Sequence, residues 1–134
     1  MEERQLRERA AAVVIRKGRV LLVKDRTLVK YSLPGGGLNE GETLSQAAAR
    51  ELFEETGLRA RKMHFIGSFK GAVSHHKAFL VQAEGRPRLK GRSEQGGGEL
   101  SSYVWWDMKS PLPVYQHVKV ILGILQKRER ERRY

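Results

Sequence analysis

The sequence contains no cysteine. That excludes disulfides, thiolate nucleophiles and Cys-ligated zinc, and it fits a cytoplasmic protein. Proline is scarce, at 4 among 134 residues. No apolar run approaches the roughly 18 residues of a membrane-spanning helix. The segment 1–9 mixes Arg and Glu and lacks the apolar stretch of a secretory signal. Acidic residues are also in short supply: 15 stand against 26 Lys and Arg, a formal net charge of +11. The imbalance is local. Residues 59–92 carry nine Lys or Arg and one acid, Glu84, whereas residues 10–58 carry seven basic and six acidic residues. Such a stretch is either a solvated basic face or an electropositive surface for an anionic ligand.

What is present is the composition of a folded chain, 40% apolar and 31% charged. The length suits one domain spanning 1–134, with charged ends at 1–8 and 127–134, and permits a real core. Short apolar runs at 10–15 and 20–23 flank the turn 16–19 and read as a hairpin. Leu33-Pro34-Gly35-Gly36-Gly37 reads as a loop. From Thr43 to Thr56 the apolar residues Leu44, Ala47, Ala48 and Leu52 recur three and four apart, the spacing of a helix. Thr43 is a candidate N-cap with Gln46 as a partial capping box, and Gly57 is the expected stop. Runs at 63–66, 78–81 and 102–106 read as strands, and residues 86–98 as a polar, Gly-rich loop. Pro113 is a candidate first-turn residue of a last helix with the apolar stripe Val114, Val118, Ile121, Leu122 and Leu125. This order indicates an α/β or α+β domain.

The polar face of the first helix carries the chemistry. Glu51 lies three residues before Glu54 and four before Glu55, so all three carboxylates share one face, and Glu42 sits just before the helix. Like charges so placed repel each other. A hard divalent cation reverses the sign of that interaction, because Mg²⁺ takes oxygen ligands; carbonyls of Gly35–Gly37 are further oxygen donors. The competing reading is a solvated acidic face steadied by Arg50 with Glu54.

The wider spacing decides between them. Residues 36–58, GGLNEGETLSQAAARELFEETGL, resemble the Nudix box, G-x5-E-x7-R-E-U-x-E-E-x-G-U, with U a bulky aliphatic. Gly36, Glu42, Arg50, Glu51, Leu52, Glu54, Glu55, Gly57 and Leu58 all match. The preceding Leu33-Pro34-Gly35-Gly36-Gly37, and Glu99 six residues before Trp105, resemble the family as well.

The resemblance implies an α/β/α sandwich with a mixed sheet. It implies a hydrolase in which water attacks the pyrophosphate of a nucleoside diphosphate linked to a moiety X, with Mg²⁺ or Mn²⁺. Glu54 and Glu55 are then metal ligands, Glu51 a ligand or the general base, and the Gly35 carbonyl a further ligand. Arg50 orients the glutamates, while Gly36, Glu42 and Gly57 support the site. A base from outside the box has Glu99 as first candidate and Glu94 as second. Lys70, Lys77 and Arg88 are candidate substrate-binding residues for an anionic nucleotide. Nucleic acid is a less favoured partner, and neither a membrane nor an oligomeric state is indicated. The family markers for ADP-ribose (Pro) and diadenosine polyphosphates (Tyr) are absent from the positions of Val73, Ser74 and His75, which leaves X open and favours a (d)NTP or related nucleotide. The alternatives are a nucleotide-sensing or RNA-binding module of the same fold, and an RNA-processing hydrolase. His75-His76 reads as a surface pair on a hairpin, with a second-sphere base or a phosphate contact as its alternatives.

Overall fold

The computed structural model describes residues 6–89 and 100–132. Seven strands and two helices follow in the order Arg7–Val13 (β1), Ile15–Arg16 (β2), Arg19–Asp25 (β3), Gly35–Gly37 (β4), Leu44–Thr56 (α1), Arg59–Lys70 (β5), Ser74–Glu84 (β6), Leu100–Trp106 (β7) and Gln116–Arg132 (α2). One sheet runs β4-β1-β6-β5; β1 and β6 are parallel and the other two pairings antiparallel. An antiparallel sheet, β2-β3-β7, continues from it past Val14, whose carbonyl accepts from Leu21 N.

The central strand β1 explains the layering. Ala10 to Val14 are all buried, as a parallel strand covered on both faces must be. Alternation sends Ala11 and Val13 into a cluster with Ala78, Ile66, Val118 and Ile121, the α2 face. Ala12 and Val14 join Leu21, Leu52 and Val81, and Ala10 packs on Ala47 and Ala48, the α1 face. The two helices therefore cover opposite faces of a mixed sheet, the α/β/α arrangement the resemblance implies. Trp105 and Trp106 divide in the same way, one against each cluster.

Three expectations need correction. Gly35–Gly37 is not loop but a short strand paired with β1. A Cβ on Gly35 would strike the backbone of Ala10 and come within 2.9 Å of the Ala11 Cα, so the missing side chain is what permits the pairing. Strand β5 extends far beyond the apolar run 63–66 because it is an edge strand. Of its twelve residues only Ile66 is buried, and Arg59, Arg61, Lys62 and Lys70 are exposed, so hydrophobicity could not mark its ends. The last helix begins at Gln116, not Pro113: the Pro113 carbonyl accepts from Tyr31 N at 2.8 Å and Val114 bridges Tyr31, which keeps this segment extended.

The glycine strand supplies a paired test. Gly35→Ala forces β4 off β1 and is expected to cost about 1–3 kcal/mol, the range of overpacking. Gly37→Ala places its methyl in open space and is expected to stay within about 0.5 kcal/mol of wild type. Urea unfolding monitored by tryptophan fluorescence measures both; equal effects would overturn the close-approach argument.

Candidate active site

Helix α1 is fixed at both ends by its own sequence. The Thr43 hydroxyl accepts from Gln46 N (3.2 Å) while Gln46 Oε1 accepts from Thr43 N (2.9 Å), a complete capping box. Gly57 closes the helix at φ 79°, in the left-handed region that costs glycine nothing, and its N–H donates to Phe53 O. Ala47, Ala48 and Leu52 seat the apolar face. The carboxylates are thereby turned toward β4.

Arg50 gathers that face. Its Nε and Nη2 fork onto Glu42 at 2.7 and 3.0 Å, Nη1 donates to Glu51 at 2.9 Å and to Glu54 at 3.2 Å, and Nη2 also reaches the Gly37 carbonyl at 2.9 Å. A planar guanidinium is suited to this many fixed directions. The Arg50 fork and the Asn39 N–H hold the Glu42 carboxyl down at about 2. The three glutamates on Arg50 differ in freedom. Glu42 and Glu51 are 13% and 19% exposed, whereas Glu54 is 55% exposed on the longest bond, so Glu54 is the one most readily turned to another partner.

Glu55 sits apart, half-buried, accepting from Gly35 N at 3.0 Å. Burial, and then the charge of Glu51, push its pKa up to about 8; the Gly35 hydrogen bond and the charge of Arg9 act the other way. Gly36 lets Glu51 lie close, since a Cβ there would meet its carboxyl carbon at 2.6 Å. Among the described residues no three His, Asp or Glu side chains converge on one point: Arg50 holds Glu51 and Glu54, and Gly35 holds Glu55. The donor set nonetheless fits a hard cation in kind. It offers hard oxygen donors only, and Glu51 and Glu54 add their negative charge to the burial that already raises Glu55.

The structure thus brings together Glu42, Arg50, Glu51, Glu54, Glu55, Gly35 and Gly36. No hydrogen bond or ion pair among the described residues joins Lys70, Lys77 or Arg88 to them. Lys70 ends the exposed edge strand. Lys77 pairs with Ala10 and so stands on the α1 face, opposite His76, without a hydrogen bond or ion pair to the glutamates among the described residues. Arg88 is exposed and contributes its backbone N–H to Thr56 O, beyond the helix end. Glu94 and Glu99 lie outside the described residues. His76 departs from the surface-pair reading: it is half-buried, and its ring stacks on His117 with centroids 4.3 Å apart. Arg9 and His117 are site neighbours that sequence reasoning missed. With Gly35, Gly36, Ser32 and His76 they line a small cleft beside the glutamates. The only early signal was the pairing of Arg9 with the sheet's inward alternation.

These environments set the pH dependence of metal-free stability. Folded Glu55 keeps a proton up to about pH 8 that the unfolded chain releases near 4.5, so stability falls as pH rises through that window. His117 has its pKa lowered to about 4 by burial, His76 and Arg9, and His76 is lowered by burial, Arg9 and His75. Both take up protons less readily in the folded chain than in the unfolded one, so they make stability rise with pH up to about 6.5. Between pH 6.5 and 8 the Glu55 slope stands alone. The expected result is a melting temperature that falls over this interval in chelator-treated wild type and is flat in Glu55→Gln, measured by calorimetry.

The match to known proteins covers the same elements. The family model described as NUDIX domain matches residues 6–122. The phosphatase NudJ of Escherichia coli (strain K12) is 47% identical over 72 residues, 52% of this chain and 47% of that protein. The chain therefore spans about half the length of the relatives it matches. A nudix hydrolase family member from Chromobacterium violaceum superposes with a TM-score of 0.76 at 28% identity, covering 94% of this chain and 80% of that one. A MutT NUDIX hydrolase from Burkholderia pseudomallei gives 0.71 at 23% identity, covering 89% and 97%. Because the matched span runs from the first described residue into α2 and so takes in every element around Arg50, this chain belongs to the NUDIX domain family.

Proposed function

We propose that the chain hydrolyses a pyrophosphate bond in a nucleotide-linked compound, that it requires Mg²⁺ or Mn²⁺, and that a nucleoside triphosphate or related nucleotide is the favoured substrate. The observation that carries this reading is the Arg50 network, which holds Glu42, Glu51, Glu54 and the Gly37 carbonyl beside a half-buried Glu55 whose pKa is raised. A solvated acidic face has no need of a central arginine bonded to four partners. The name of the E. coli relative, a phosphatase, is consistent with chemistry at phosphorus. Two neighbours of the same fold, under 25% identical, are named for ADP-ribose; that likeness is one of fold and leaves X open.

In this reading Glu51, Glu54, Glu55 and the Gly35 carbonyl hold the cation. Bound there, it would neutralise pyrophosphate oxygens and make water a better nucleophile. The chain's own part is positioning. Arg50 keeps Glu51 and Glu54 on the β4 side of the helix, with Glu54 the freest to leave it. Gly36 leaves room for the Glu51 carboxylate, which either ligates the cation or takes a proton from the attacking water. Glu99, then Glu94, are the candidate bases from outside the box. Charge stabilisation and orientation suffice for phosphoryl chemistry, so no serine or cysteine nucleophile is invoked.

Two measurements test this. Glu54→Gln and Glu55→Gln are expected to lower turnover of a nucleoside triphosphate by orders of magnitude without loss of fold, and Mg²⁺ is expected to raise the melting temperature of wild type but not of the double variant. Wild-type turnover in both variants, with no stabilisation by Mg²⁺, would overturn the cation assignment. Lys70, Lys77 and Arg88 act through their field, so KM for a polyanionic substrate is expected to rise with NaCl while kcat changes less, because charges farther apart than about 8 Å are screened at physiological ionic strength. A KM that stays flat with salt would make the basic strand a solvated face only.

A further inference from the structure

The cleft beside the glutamates is unlike the glutamate cluster in sign. Arg9 stands on β1 opposite Gly37 on one side and His76 on the other. Glycine leaves no side chain over β4, and Arg9 lines the cleft together with both imidazoles. Its charge lowers the pKa of Glu55 and of both imidazoles. The ion pairs among the described residues are those of Arg50 and the Arg61–Glu84 pair; Arg9 is in none of them. Nor do the described hydrogen bonds include the side chains of His76 or His117. Three nitrogen-bearing side chains thus face one cleft with their donors unspent.

Three features select the ligand. The first is charge: an arginine flanked by two imidazoles, at the start of a helix whose first turn carries no acid, repels a cation and favours an anion. The second is ligand geometry. The rings are parallel within 4° and stacked, and no third His, Asp or Glu among the described residues completes a metal site with them. The third is size. The cleft is small, about 40 Å³, which favours a compact group over a flat, extended one such as a nucleobase. The ring stack also holds the nitrogens in place, since Tyr115 lies against His117 (5.9 Å) and Phe69 against His76 (6.2 Å).

We propose that Arg9, His76 and His117 form a phosphoryl-holding subsite next to the glutamate cluster, which seats an unesterified phosphoryl group of the substrate across the β4 glycines. Arg9 supplies the charge and the fork; the imidazoles supply N–H donors on a rigid stack. The substrate class follows. A nucleoside di- or triphosphate carries a free terminal phosphoryl group and fills the subsite; a nucleoside diphosphate sugar, its terminal phosphorus esterified, does not. This rests on the hydrolase reading above and narrows it. Arg9, His76 and His117 are positioning residues, acting on where the phosphate chain lies and not on the bond that breaks.

The test uses the full chain with Arg9→Gln, His76→Phe and His117→Phe. The phenylalanines keep the ring stack and remove only the nitrogens, and Arg9→Lys is the conservative control. Binding of inorganic pyrophosphate is read by calorimetry with and without Mg²⁺, and kinetics are read for a nucleoside triphosphate and a nucleoside diphosphate sugar. The expected result is about tenfold weaker pyrophosphate binding in each variant. KM for the triphosphate should rise by about the same factor with kcat within about twofold, KM for the sugar nucleotide should be unchanged, and Arg9→Lys should recover part of the loss. Unaltered pyrophosphate affinity in Arg9→Gln and His117→Phe, or an equal rise in KM for both substrates, would overturn the subsite. Because pyrophosphate binding is read without turnover, a chain that binds it through these residues yet hydrolyses neither substrate defeats the hydrolase reading and leaves the subsite standing.

Discussion

The Arg50 guanidinium ties together three pieces of chain that would otherwise repel or drift. It is bonded to Glu42 in the segment before α1, to Glu51 and Glu54 on the helix and to the Gly37 carbonyl at the end of β4. Without that central charge, three carboxylates would crowd one helix face with Glu42 just before it, each close pair costing a few tenths of a kcal/mol. Its placement depends in turn on the capping box at Thr43 and the left-handed Gly57, which set where the helix begins and stops and so which way residue 50 points. The fold is arranged to present a cluster of negative charge at the glycine edge of a sheet, and one positive side chain makes that arrangement stable.

Much of this was legible beforehand because it is local. Thr43 with Gln46, the three- and four-residue spacing of Ala47, Ala48 and Leu52, and the Glu51-Glu54-Glu55 face all follow from helical geometry within a few turns. The partners of Arg50 lie at most thirteen residues away. What escaped reading depends on contacts between distant segments. Gly35–Gly37 has every local mark of a loop and becomes a strand only because the backbone of Ala10 and Ala11 is there to receive it. Strand β5 hides its length under charged residues because one of its edges has no strand to cover it. Arg9, His76 and His117 come from β1, β6 and the start of α2, and their meeting is a property of the assembled sheet. The basic stretch 59–92 was visible as charge, but the cationic residue that lines the small cleft, Arg9, lies outside that stretch.

The two sides of the site therefore have opposite electrostatic character within one small region. Glu51, Glu54 and Glu55 want positive charge; Arg9 and the imidazole pair favour negative. Glu55 feels both: beyond the effect of its burial, its fellow glutamates raise its pKa and Arg9 lowers it. A linear ligand carrying a cation at one end and bare phosphate at the other would satisfy the two sides at once, in one orientation only.

The spacing between those sides is set by very small side chains. Ala10, Ala11 and Ala12 form the middle of β1, all buried. Ala10 rests α1 through Ala47 and Ala48, while Ala11, one residue on, faces the layer beneath α2. Three methyl groups thus act as a gauge block between the helix that carries the carboxylates and the helix that carries His117. A valine or leucine in that block would thicken the sheet's middle layer by roughly the height of the added methyls and displace one helix against the other, while leaving every charged residue of the site unchanged. The distance between the carboxylate helix and His117 is in that sense written in the smallest residues of the core.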